Sequence, residues 1–148
     1  MIKKMLVAVD GSSNSDRALD YALNLAEKCG SSVLILNVFQ LPAFYESPEE
    51  PPVYSTSRAD FISDLQKMHE ETLARVAGKA RALKPGLEIA AELREGEPAA
   101  QVVGVAKEGG FDLIVVGHKG WSRMREIFLG GTSERVAHLA ECAVLIVK

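Results

Sequence analysis

Six residues in the last third of the chain have the chemistry to hold a phosphate: Gly117, Gly120, Gly130, Gly131, Thr132 and Ser133. Glycine tolerates positive φ, and without a Cβ it lets backbone N–H groups come close to a ligand. A helix starting near Gly131 would turn its unpaired N–H groups and the positive end of its dipole toward the same space, a ready site for an anion. Thr132 and Ser133 would add hydroxyl donors at that end. A single glycine shapes a turn and a single hydroxyl caps a helix. Four glycines around a strand end and a helix start favour phosphate binding.

Two other short segments could meet the same ligand, Asp10-Gly11-Ser12 and Asn37-Val38-Phe39, each following an apolar run. An Asp-Gly pair is also simply a good turn, and Val38 serves equally well as sheet core. His118 stands inside the glycine cluster and could hydrogen-bond a phosphate. Lys119, Arg123 and Arg125 either reach phosphates or stay solvated, while Trp121, Met124 and Phe128 are spaced like one face of a short helix packing under the loop. His69 and His138 fall on predicted helices and have no ligand-spaced partners.

These residues need a scaffold, and the apolar pattern supplies one. Continuous apolar runs at Ile2–Val9, Val33–Val38, Leu113–Val116 and Ala143–Val147 suit strands covered on both faces, as in a parallel sheet. Leu87–Leu93 alternates apolar and polar residues, which predicts an edge strand with one wet face. Helical stripes fill the gaps. Ser13 with Asp16 makes a capping-box-like start for a helix bearing Ala18, Ala22, Leu25 and Cys29, with Gly30 at its C′ position. A long helix from about Ser57 to Leu83 should turn Phe61, Leu65, Met68, Val76 and Ala80 inward. Pro98 fits the first turn of a third helix, and a fourth after Gly131 should bury Val136, Leu139 and Ala140. The alternation predicts an α/β fold, a single doubly wound sheet with helices on both faces. Leu41–Thr56, rich in Pro and Glu, has neither period and reads as a mobile connection or a functional flap.

The 148 residues are expected to form one domain, with no internal repeat. A net charge of -3 argues against a general nucleic-acid binder. The longest apolar runs are strand-sized, well short of the roughly 20 residues of a membrane span. MIKKMLVAVDG has the charge and apolarity of a signal peptide, but its run stops at Asp10 with no cleavage site, so it reads as a first strand of a cytoplasmic protein. Cys29 and Cys142 lack any CxxC or Cys/His spacing and read as buried free thiols.

The chain resembles the universal stress protein family. That family has a Gly-x2-Gly-x9-Gly-Ser/Thr signature, matched here by Gly117-His-Lys-Gly120, nine residues, then Gly130-Gly131-Thr132-Ser133. The VAVDGS end of the first run and the closing AVLIVK match as well, so the resemblance covers essentially the whole chain. It implies a five-stranded parallel sheet of order 3-2-1-4-5 and a site for ATP, ADP or AMP, with or without Mg2+. Asp10 would lie near the adenosine, Val38 would contact the adenine through its backbone, and Gly117, Gly120 and Gly130 would surround ribose and phosphates. Gly11, Ser12, Val116, His118, Gly131, Thr132 and Ser133 complete the candidate contacts. Gly131 departs from the signature, keeping the backbone N–H and lacking the hydroxyl. The resemblance also implies a homodimer through the last strand, with its protein partners unspecified.

Three functions fit these features. The first is a nucleotide-binding, dimeric regulator of a stress response. The second is a slow ATPase or a self-phosphorylating enzyme. The third is a nucleotide-free dimeric interaction module. The retained glycines count against the third. The second is disfavoured by the missing hydroxyl and by the lack of an assignable nucleophile and base. No Gly-x4-Gly-Lys-Ser/Thr loop, HExxH motif or metal-type Cys/His cluster is present. Nor does Asp10-Gly11-Ser12-Ser13 match the Ser-Gly-Gly-x-Asp-Ser loop of ATP pyrophosphatases.

Overall fold

A computed structural model of the chain describes residues 1–41, 58–118 and 131–148. Strands and helices alternate: β1 (Lys4–Ala8), α1 (Ser13–Cys29), β2 (Ser32–Phe39), α2 (Arg58–Leu83), β3 (Ile89–Glu95), α3 (Pro98–Gly109), β4 (Leu113–Gly117), α4 (Thr132–Leu139) and β5 (Ala143–Val147). The strands form one parallel sheet of order β3-β2-β1-β4-β5.

The continuous apolarity of the central strands follows from the two layers they face. Met5, Val7, Val9, Val33, Ile35 and Val115 pack with α1 and α2. Leu6, Ala8, Leu34, Leu36, Val38, Ile114 and Val116 pack with α3 and α4 on the other side. Successive side chains of a strand point to opposite faces, so a strand with two covered faces needs an unbroken apolar run. Each fully buried aliphatic side chain contributes about 1.5–3 kcal/mol. Exposed pairs such as Lys107–Glu141 contribute about 0–1 kcal/mol. The two cores therefore dominate.

Helix ends follow their local chemistry. Ser12 caps α1, with its hydroxyl accepting the Ser15 N–H, and the helix closes on Gly30 at φ 68. The cap is thus Ser12, one residue ahead of the expected Ser13. Glu97 caps α3 by accepting the N–H groups of Ala99 and Ala100, and Pro98 occupies the first turn. β1 and β3 also differ from their expected bounds. β1 begins at Lys4 because Asp112 takes the N–H groups of Lys3 and Lys4 at 2.8 and 2.9 Å. β3 runs two residues later than Leu87–Leu93, since its pairing with β2 continues to Phe39–Glu95.

Three burial expectations are corrected. Met68 is exposed, because the inward stripe of α2 runs through Leu73, Val76, Ala77 and Ala80, and Met68 lies off that face. Leu139 is exposed as well. Among the described residues α4 packs on α3 and on the edge strand β5, with no further strand to cover its last turn. Cys29 is exposed and Cys142 half-buried, both as free thiols. Cys29 closes α1 at the surface, just before the left-handed Gly30, rather than inside the core.

Candidate functional site

β1 is central, and the chain leaves it in one direction through β2 and β3 and returns to its other side as β4 and β5. The reversal opens a crevice beyond the carboxyl ends of β1 and β4, where ligands of doubly wound sheets bind. Asp10-Gly11-Ser12 and Gly117-His118 stand at that crevice, and Val38 is the last residue but one of the neighbouring strand β2.

The β1–α1 turn is tightly specified. The Asp10 carboxylate accepts the Ser12 N–H at 2.8 Å, closing an Asx turn, and Gly11 between them has φ 83. Ser15, buried in the first turn, donates its hydroxyl to the Ser12 carbonyl at 3.0 Å and accepts the Asp10 N–H at 3.2 Å. The Asp10 carboxylate thus builds the turn, which holds it just past the carboxyl end of β1.

Gly117 has a different reason to be glycine than the expected one. It is not among the positive-φ glycines of the described residues, which are Gly11, Gly30, Gly96 and Gly110. A Cβ on Gly117 would lie 2.9 Å from the Asn14 carbonyl oxygen and 3.3 Å from the Ser15 nitrogen. The end of β4 and the first turn of α1 are packed backbone to backbone.

α4 starts beside the same strand end. Ser133 Oγ donates to the His118 carbonyl at 3.3 Å, and the His118 N–H donates to the Val147 carbonyl at 2.8 Å. Gly131 is the N-cap, with φ -60 and ψ 166, and among the described residues no side chain caps the helix. An Ncap residue normally satisfies one of the first N–H groups with its side-chain oxygen, and glycine has none to offer. The Ser133 hydroxyl, expected as a ligand donor, ties α4 to the residue that follows β4. Val38 and Val116 are buried in the α3–α4 core, so only their backbones are placed to meet a ligand. Gly120, Gly130, Lys119 and the segment 121–129 lie outside the described residues, as do residues 42–56 of the expected flap.

A polar pair that the sequence pattern did not single out adjoins these elements. Asn37 is fully buried in the apolar run of β2, donates Nδ2–H to the Val9 carbonyl at 3.0 Å, and meets His69 Nδ1 through Oδ1 at 3.0 Å. The His69 ring stacks on Phe39 with centroids 5.4 Å apart, and burial pushes its imidazole below the ordinary value. One turn along α2, Thr72 Cγ2 lies 3.4 Å from where a Cβ on Gly11 would be. Two signals could have found the pair: an amide inside SVLILNVF, which must find partners, and a histidine four residues before Leu73, on the buried stripe of α2.

Among the described residues no three His, Cys, Asp or Glu side chains converge to hold a metal, and no helix is long and apolar enough to cross a membrane.

The description "Universal stress protein family" belongs to a family model that matches residues 1–148. Universal stress protein YxiE of Bacillus subtilis is 35% identical over all of both chains. Two solved structures share 26% of the sequence. One is a universal stress protein in complex with cAMP, with TM-score 0.72, covering 99% of this chain and 97% of that one. The other is the universal stress protein from Archaeoglobus fulgidus in complex with dAMP, with TM-score 0.64 and full coverage of both chains.

Proposed function

The chain belongs to the universal stress protein family, and from that premise we propose that it binds an adenine nucleotide, ATP, ADP or AMP, and acts as a cytoplasmic, dimeric regulator of a stress response. The observation that carries the reading is the uncapped start of α4 beside the end of β4, joined by Ser133 and His118. That arrangement suits phosphate oxygens, which accept helix-terminal N–H groups and favour the positive dipole end. Among the described residues nothing lies within 4 Å of where a Cβ on Gly131 would be, which suits a ligand there.

In this proposal Asp10, Gly11, Ser12 and the Val38 backbone face the nucleoside. Val116, Gly117, His118, Gly120, Gly130, Gly131, Thr132 and Ser133 line the ribose and phosphates. The cAMP and dAMP bound by two structural neighbours support an adenine nucleotide. Mg2+ enters as the nucleotide's own counter-ion, held by its phosphates and water.

The dimer is proposed at β5. Among the described residues its outer edge is unpaired, its sequence AVLIV is wholly apolar, and Ile146 is exposed. Native proteins normally cover such an edge, and antiparallel pairing with a second copy would cover both at once. An open hollow beside it is lined in part by Tyr21 and Asn24 of α1, and Tyr21 is exposed.

The test is calorimetry with ATP, ADP and AMP on the folded protein, together with light scattering. Binding by at least one nucleotide at micromolar to millimolar concentration, on a dimer, is expected. Failure of all three with intact circular dichroism would remove the nucleotide reading, and a monomer at high micromolar concentration would remove the dimer.

A further inference from the structure

The Asn37–His69 pair is tied to the β1 strand end by an unbroken chain of contacts. The Val9 carbonyl can only accept, so the Asn37 amide nitrogen must face it, and Oδ1 must face His69. Oδ1 also only accepts, so His69 Nδ1 must carry the proton. In the neutral ring Nε2 is then bare. Phe39 stacks against the imidazole and holds its plane, so the ring keeps this aim. Val9 itself donates its N–H to the Leu36 carbonyl at 2.9 Å and immediately precedes Asp10. Both backbone polar groups of Val9, the residue just beyond β1, are therefore fixed from β2, one of them through a side chain that α2 orients.

We propose that Asn37 and His69 are positioning residues for the nucleoside end of the site, with His69 Nδ1–H holding the Asn37 amide on the Val9 carbonyl and thereby fixing the strand end that carries Asp10. The inference rests on the adenine-nucleotide reading given above. Neither residue needs to touch the ligand. A small rotation of the Val9–Asp10 peptide would swing the Asp10 carboxylate and the whole Asx turn with it. The pair also gives α2 a direct hold on that turn, which a purely apolar helix face would lack.

The test compares His69→Gln with His69→Asn. The Asn side chain places its Nδ2–H near the position of the histidine Nδ1–H, whereas the Gln amide reaches nearer to Nε2. AMP affinity should fall about three- to tenfold in His69→Gln, the loss of one neutral hydrogen bond, and His69→Asn should recover at least threefold of that. Thermal melts of the ligand-free proteins show whether the affinity change exceeds what lowered stability explains. Equal AMP affinity in wild type and both variants would overturn the proposal. So would a weaker His69→Asn than His69→Gln, which would mean that Nε2 acts on the ligand itself. 15N spectra of wild-type imidazole give a readout that needs no ligand: Nδ1–H with bare Nε2 is expected, and the opposite tautomer sinks the pairing. A wild type that binds no AMP overturns the nucleotide reading and the positioning role together, while the tautomer result still judges the pair.

Discussion

The Cβ that Gly117 lacks would sit 2.9 Å from the carbonyl oxygen of Asn14, closer than real Cβ atoms come to backbone oxygen. Gly117→Ala must therefore push the first turn of α1 away from β4, where Ser12 and Ser15 build the crevice. We expect a destabilisation of about 1–3 kcal/mol, typical of overpacking, measured by urea denaturation. Nucleotide affinity should drop in the same variant. Unchanged stability would show that the two backbones separate without cost.

Gly131→Ser should be tolerated, and mildly stabilising. Gly131 has φ -60 and ψ 166, which any residue adopts, and among the described residues a Cβ there meets nothing within 4 Å. Serine would supply the missing side-chain cap, a gain of a few tenths of a kcal/mol. If phosphates lie on this helix end, the added hydroxyl should also raise the ratio of ATP to ADP affinity. The wild type is expected to discriminate little between them and to hydrolyse ATP very slowly or not at all. A wild-type preference for ATP above about tenfold, some 1.4 kcal/mol, would mean that another donor already grips the terminal phosphate.

His69 gives the fold a pH signature of known sign. Burial lowers its pKa in the native state, so the unfolded chain takes up the proton first as pH falls. Its contribution is at full strength above the ordinary imidazole range and is lost as pH drops from that range toward the lowered native value. His69→Asn has no ring to titrate. Between about pH 7.5 and about pH 5.5, wild-type stability should fall relative to this variant. Parallel curves would show that the ring titrates alike in both states.

The two thiols should react at different rates. Cys29 is exposed, whereas Cys142 is half-buried and burial pushes its thiol up, lowering the thiolate fraction at neutral pH. An aromatic disulfide reagent should show a fast phase and a slow phase, with Cys29→Ser removing the fast one. Loss of the slow phase instead would reverse the assignment.

Much of the fold was legible because apolar runs covered on both faces have few alternatives. Ile2–Val9 and Val33–Val38 read directly as parallel strands covered on both faces, and Gly30 and Pro98 marked helix ends through backbone preferences that act locally. Residues whose burial depends on a neighbouring element were harder. Leu139 has good helical spacing, yet the sheet ends at β5, and Met68 lost its place to His69, which holds a stripe position usually given to an apolar residue. The sequence does not carry the reason position 117 excludes a Cβ, since the approach of Asn14 is a contact between segments about a hundred residues apart. Asp10 showed its turn chemistry plainly, but its hold on Ser12 and Ser15 appears only once α1 is in place.

The central position of β1 bears on how the chain is made. Its anchor, Asp112, follows Lys4 by 108 residues, and its second neighbour, β4, starts only after that. At about 5–20 residues per second a ribosome needs about 5–20 seconds to cover that interval. Throughout it, Met5–Val7 can pair with β2 alone, and their other edge stays open. A nascent chain would thus carry an unpaired apolar strand edge for seconds, long enough for a chaperone, or another nascent chain, to find it first.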